Sequence, residues 1–431
     1  MRRRTVRYRL VFTGTLVTMV VGACARRMVT ASGGSIERPA PRTSRSASDA
    51  TLRVALATST TASLSSSGDF QLYATDGERL IARVPNGETW HVERAGSRMR
   101  GVGPDGIASV WQSGGLVARS SNALIAVNGK RYRGELVLLQ SDAGITIVNR
   151  VRMDDYLRGV VPLEIGTRDA RDSAAVQSQA VTARSYAYVH LGGASPSKPY
   201  DVTAGVSDQL YGGADAETAV SNAAVSSTRG LVLQYDGRVV NAPYHSTCGG
   251  STAAADEIWR TSSEPYLQSV SDQIPGTDRF YCDIAPRFRW TRTLDGPTLR
   301  EALVRYLGNY TATPGGYPGT PRDVEIDTRT KSGRVGTLKI ATDRGNYVLR
   351  GNDIRYVLRA PGGDILNSTA FTAQVTTGRD GAITQLVLRG TGYGHGVGMC
   401  QWGAIGRARA GQDFRTILRA YYPGTSVGAI D

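Results

Sequence analysis

"SAAVQSQAVTARSYAYVHL", residues 173–191, decides the fold class. Val176, Ala180, Ala183, Ala187 and Leu191 recur at 4-3-4-4 spacing, which is one face of a helix. The small residues on that face predict close packing against a sheet. Upstream, from Leu52 to about Val151, the text is short alternating runs such as "FQLYATDGERLIARV" and "ALIAVNGKRYRGELVLL". Asp76-Gly77 and Asn128-Gly129 punctuate them as hairpin-type turns. Downstream, strand text returns around 230–245 and leads into a loop with Cys248 and Trp259. A helix is predicted near 296–307, hairpin text fills much of 284–375, and a helical stretch over about 400–422 stops at Tyr422-Pro423-Gly424. Helices and strands mix without a regular βαβ beat, so the expected class is α+β. The expected order is a β-rich region over 51–150, then a mixed core over 151–431 with a β-rich insertion at about 284–375.

The chain begins "MRRRTVRYRLVFTGTLVTMVVGACARR", with five arginines and then a twelve-residue apolar run, Leu10 to Val21. That run is too short to span a bilayer and has the form of an export signal. "VGAC", ending at Cys24, resembles a bacterial lipobox, which implies a lipid-anchored mature protein starting at Cys24. Residues 1–23 are then the leader, and the Ser-, Ala-, Pro- and Arg-rich stretch 24–50 a flexible tether. The formal charge of +14 shrinks accordingly. Losing the leader's five arginines leaves +9, and the stretch from Cys24 to Ser48, with five arginines against Glu37, accounts for another +4. The remaining +5 is spread thinly, with no basic helix or zinc-finger spacing, so no nucleic-acid partner is implied.

Two stretches stand out chemically. In "GTGYGHGVGMCQWGA", 390–404, glycine takes every second position from Gly390 to Gly398. In an extended segment this strips one face bare, leaving Tyr393 and His395 on the other. Such a face suits a ligand, or a neighbouring backbone, that comes very close. In "YLRGVVPLEIG", 156–166, Glu164 sits among apolar residues just upstream of the 173–191 helix. Apolar surroundings raise a carboxyl pKa and suit a general acid, whereas the helix N-terminus favours the anion. The plain alternative is a carboxylate that caps or salt-bridges that helix. Asp154-Asp155 read as a turn or strand end.

Together, "YLRGVVPLEI…AVQSQAVTARSYAY", "YHSTCGGSTAAADEIW…PYLQSVSD" and "GYGHGVGMCQWGAIGRARAG…ILRAYYPG" resemble the successive blocks of the SpoIID/LytB family, in the family's order. The resemblance covers about 150–431. It implies an exported α+β protein acting on bacterial peptidoglycan. Sporulation members are lytic transglycosylases that cut glycan strands stripped of their peptides, and their catalytic glutamate falls on Glu164. The amidase-enhancer branch instead stimulates a cell-wall amidase. Either role suits spore formation, division or wall turnover.

A lytic transglycosylase needs one acid. It protonates the glycosidic oxygen, then accepts the proton of the sugar's own 6-hydroxyl as that group attacks, giving a 1,6-anhydro product. Hydrolases usually pair two carboxylates, and only Glu164 stands in a marked setting. Substrate contacts are expected from Tyr393 and His395, and from Gln177, Arg184 and Tyr188 on a second face of the 173–191 helix. Arg184 is suited to the lactyl carboxylate of peptide-free muramic acid, with a structural ion pair as the alternative. Tyr393 and His395 have packing alternatives. The reaction requires no cofactor. For the cysteines, a Cys248–Cys282 disulfide with Cys400 buried competes with a structural zinc held by His245, Cys248, Cys282 and Cys400. A serine hydrolase built on His245-Ser246 is discounted, because adjacent strand residues point apart and no nucleophile-elbow text surrounds them.

Overall fold

The computed structural model describes residues 50–430. The leader 1–23, Cys24 and all but the last residue of the tether 24–50 lie outside the described residues. The class is α+β. Among the described residues no helix is long and apolar enough to cross a membrane.

The alternating text upstream of Val151 forms two sheets. One has seven strands, in the order Val202–Thr203, Thr51–Ser59, Gly144–Arg152, Glu135–Ser141, Gly115–Arg119, Phe70–Ala74 and Leu80–Val84. The period of two is visible in Phe70–Ala74, where Phe70, Leu72 and Ala74 are buried between half-exposed Gln71 and Tyr73. Asn128 and Gly129 both take positive φ, 50° and 81°. They close a two-residue hairpin across the Val127–Lys130 pair, as an Asn-Gly turn should.

Helix α1 (Met153–Ile165) follows the long strand Gly144–Arg152 without a loop. The reading of Asp154-Asp155 as a turn or strand end is corrected here. Both acids sit in the first turn of α1, where the helix dipole favours them. Helix α2 (Ser173–His190) is the segment that set the fold class. Its predicted face is buried at Val176, Ala180, Ala183 and Ala187. It packs mainly against other helices, α1 among them, as well as against the strand Leu231–Tyr235, so the expectation of a sheet alone was too narrow. Ser178, Thr182 and Ser185 are buried on α2 because each hydroxyl bonds a carbonyl four residues back. Helix α3 (Ala219–Ser227) lies against α2.

The 284–375 text belongs to a unit with its own hydrophobic cluster, drawn from residues between Leu294 and Leu388. It contains helix α4 (Gly296–Tyr306) and two three-stranded sheets, and its last strand, Ile383–Thr391, runs directly into the glycine segment. The helical stretch at 400–422 is two helices, α5 (Gln401–Arg409) and α6 (Phe414–Tyr421), separated at Ala410-Gly411.

The glycine segment is not a bare strand face. The strand ends at Thr391, and Gly392, Gly394, Gly396 and Gly398 all take positive φ, from 70° to 116°. Each glycine is covered by protein. A β-carbon would strike the Trp290 ring at Gly390, the Thr247 carbonyl at Gly392, the His245 β-carbon at Gly394, the Arg334 guanidinium at Gly396 and the Pro243 carbonyl at Gly398. The expectation that a sugar ring approaches this backbone is therefore corrected, since neighbouring elements already occupy the space. Gly398→Ala should lower unfolding free energy by at least about 2 kcal/mol, through left-handed strain plus the Pro243 clash. Urea denaturation of both chains measures it, and a change below 0.5 kcal/mol (about the noise of a surface substitution) would refute the packing described.

Candidate active site

Glu164 lies in the last turn of α1, not ahead of a helix N-terminus as the sequence suggested. Pro162, inside the helix, obscured this, because proline removes a backbone donor and normally ends helices. The consequence is a change of sign. A helix C-terminus disfavours an anion, so the dipole acts in the same direction as burial. Burial raises the Glu164 pKa above its ordinary 4.5, against the Leu210 N–H and the Tyr244 hydroxyl, which favour the charged form. Leu210 N donates to Oε1 at 2.7 Å. The side chain is only partly buried, so an outside group can reach it.

Tyr244 joins Glu164 to the rest of the site. Its hydroxyl also accepts from Gln209 Nε2 at 3.1 Å, and Gln209 Oε1 accepts from the Tyr156 hydroxyl at 3.1 Å. Its carbonyl pairs with the His395 ring. Since His395 Nδ1 accepts the Val397 N–H at 3.1 Å, the ring proton lies on Nε2, which donates to Tyr244. Glu164 and His395 thus stand at the side-chain and main-chain ends of one residue. Burial and nearby Arg355 push His395 down to about 3, so it is a neutral hydrogen-bonding group at working pH. Trp259, half-buried, places its ring 5.1 Å from His395. Tyr393 is held by backbone bonds with Thr247 and lies under the Arg287 guanidinium at 4.6 Å.

The second face predicted for α2 is the wrong one. Tyr186 is the α2 side chain whose ionisation senses Glu164. Nine residues at about 100° each put Gln177 roughly half a turn from Tyr186, and Arg184 and Tyr188 lie on the Gln177 side. Gln177 donates to Ser227 Oγ, just beyond Val225 on α3, and Tyr188 packs on the core. Arg184 is fully buried. Its guanidinium donates to Asp154 at 3.0 Å and to the carbonyls of Val225, Thr228 and Leu231. No donor is left for a substrate, so the ion-pair alternative holds.

Several residues of the site escaped the sequence reading. Tyr244, Gln209 and Tyr156 form the chain above. Asp208 is a second acid in a marked setting, correcting the expectation of one. It accepts from the Tyr186 hydroxyl at 3.0 Å and from the hydroxyl and N–H of Thr203. Those bonds hold it below the usual carboxylate range despite burial. Tyr186 feels both carboxylates, one raised and one lowered. Beyond the end of α1, Arg168 Nε donates to the Ile165 carbonyl at 2.8 Å and its guanidinium lies 4.8 Å from the Trp402 ring. No spacing pattern joins residues 164, 168, 208, 244 and 402; only the fold does.

The cysteines depart from both readings. Cys248, Cys282 and Cys400 are free and buried. The sulfurs of Cys248 and Cys282 are 3.4 Å apart, beyond the ~2.05 Å of a disulfide. His245 does not join them. Its Nδ1 bonds the Val397 carbonyl at 3.1 Å and its ring faces His395 at 5.5 Å. The group gathered with the three sulfurs is the Asp272 carboxylate.

Comparison with known proteins agrees with the sequence blocks. Residues 141–235 match the family described as Stage II sporulation protein, SpoIID, and residues 274–398 match a domain of unknown function, DUF8618. The chain is 29% identical to an uncharacterized protein of Brachyspira hyodysenteriae, over 84% of this chain and 88% of that one. It is 28% identical to the amidase enhancer of Bacillus subtilis, over 72% of this chain but only 45% of that longer protein. It is 27% identical to stage II sporulation protein D of Bacillus amyloliquefaciens, over 66% of this chain and 76% of that one.

Proposed function

With its SpoIID segment and its likeness to named members supporting the SpoIID/LytB family, we propose that this protein is a peptidoglycan lytic transglycosylase of the cell envelope, with Glu164 as its acid and base. The observation that carries the reading is a partly exposed carboxyl whose pKa burial raises, at the end of a helix, with a tyrosine hydroxyl fixing it. Protonated Glu164 donates to the glycosidic oxygen as the C1–O bond breaks. The carboxylate so formed takes the 6-hydroxyl proton as that oxygen bonds to C1, and the product is a 1,6-anhydro sugar. Tyr244 and Leu210 stabilise the carboxylate between the two transfers. Asp208, its oxygens occupied by Tyr186 and Thr203, acts as a fixed negative charge beside the oxocarbenium-like centre. Trp259 and Trp402 offer ring faces to the sugars, and Arg168 takes the carboxylate-binding role that Arg184 is not free to fill.

A second reading is favoured by the amidase-enhancer relative: a glycan-binding protein that stimulates a separate wall amidase. Incubating the chain with peptide-stripped glycan strands separates the two. Release of anhydro-ended fragments supports the enzyme. Intact strands, with faster release by an added amidase, support the enhancer.

Tyr244→Phe tests the acid's environment. The rate should fall as pH rises through the Glu164 pKa, because the acid must start protonated. The Tyr244 hydroxyl favours the ionised form, so its loss should move that alkaline limb to higher pH. A pH profile of kcat on glycan strands measures the shift. An unmoved or lowered limb would show that this acid does not control the rate.

A further inference from the structure

We propose that Cys248, Cys282, Cys400 and Asp272 together hold one zinc ion. Their ligand atoms all lie within 4.8 Å of one another and all four residues are buried. Among the described residues this is the one cluster of metal-binding side chains of its kind. Scattered buried cysteines behave as small apolar groups. Here three converge from distant segments on a carboxylate whose Oδ1 is paired with Arg407 and Tyr421, leaving Oδ2 turned toward the sulfurs.

The details favour a cation. Two sulfurs at the usual ~2.3 Å from a tetrahedral zinc lie about 3.8 Å apart. Cys248 and Cys282 stand at 3.4 Å, so a small adjustment seats the ion. Asp272 uses its oxygens differently. Oδ1 accepts from the Tyr421 hydroxyl at 2.6 Å and from Arg407 Nε at 3.3 Å, while Oδ2 faces Cys248 Sγ at 3.7 Å and the Cys282 N–H. That is a ligand oriented by outer partners, as metal-binding carboxylates are. Cys400 Sγ accepts the N–H groups of Cys248 and Gly403, at 3.1 and 3.2 Å, the latter from the first turn of α5. Such donors stabilise a thiolate.

Three thiolates with one carboxylate suit zinc, and four protein donors leave no open position, so the ion is structural and not catalytic. Binding would release the thiol protons to solvent. It would tie the Tyr244–Cys248 segment, the loop from Asp272 to Cys282 and the start of α5 into one knot, behind the tyrosine that contacts Glu164.

The test is the metal content of the full chain, purified without chelator and assayed by plasma mass spectrometry. About one zinc per chain is expected. Exchange for cobalt should give the strong visible bands of a tetrahedral ion with thiolate-to-cobalt charge transfer. Cys282→Ser and Asp272→Asn should each weaken zinc binding at least about tenfold. Should those variants fail to fold, the wild-type metal content and cobalt spectrum decide alone. Folded chain with no zinc, cobalt bound without thiolate bands, iron in place of zinc, or a Cys248–Cys282 disulfide found by peptide mapping would each overturn the proposal. None of these outcomes bears on Glu164, which lies outside the cluster.

Discussion

Glu164→Gln is expected to lower the rate of glycan-strand cleavage by about 10²- to 10⁴-fold, the range for removing a positioned general acid. The amide keeps the size of the side chain and can still accept from Leu210 N and the Tyr244 hydroxyl. Thermal unfolding should therefore stay close to wild type, or rise slightly, because no carboxyl remains to be ionised in a site that disfavours charge. Loss of rate with an unchanged fold separates a chemical role from a helix-capping one. If the variant unfolds early and its remaining folded fraction cleaves normally, the carboxyl is structural.

Arg184→Ala should have the largest effect on stability, about 3–5 kcal/mol, the cost of leaving a buried partner charge uncompensated. Asp154 would lose its buried partner, leaving it Arg229, at 3.9 Å and largely exposed. Three carbonyls around the end of α3 would each lose one donor. Urea denaturation gives the free-energy change, and strand-binding affinity of the folded fraction gives the control. A variant of wild-type stability with weakened glycan binding would instead make Arg184 a substrate contact.

The comparison of these two residues shows what the sequence could and could not convey. Glu164 was legible because its neighbours Val160, Val161 and Ile165 are apolar in the text. Its helix was not, although Met153, Tyr156, Leu157, Val160 and Val161 recur at i, i+3, i+4, i+7 and i+8. Pro162 argued against a helix, and burial of that face outweighed it. Arg184 was legible as an arginine on a helix, but a periodic pattern gives faces without saying which neighbour each one meets. The glycine segment misled for a related reason. Alternation implies a strand only when φ is negative, and backbone handedness is not written in a run of glycines. Asp272, 24 residues from Cys248 and 128 from Cys400, joins them only through folding, and the zinc alternative read from the sequence named His245 in its place.

The central claim is that one protonated carboxyl breaks the glycan by transferring the bond to the sugar's own hydroxyl. Mass spectrometry of fragments released from peptide-stripped strands tests it most directly. Fragments one water lighter than hydrolysis products, made by wild type and absent with Glu164→Gln, are the predicted result. Fragments carrying an added water, or anhydro ends that persist in the variant, would contradict it.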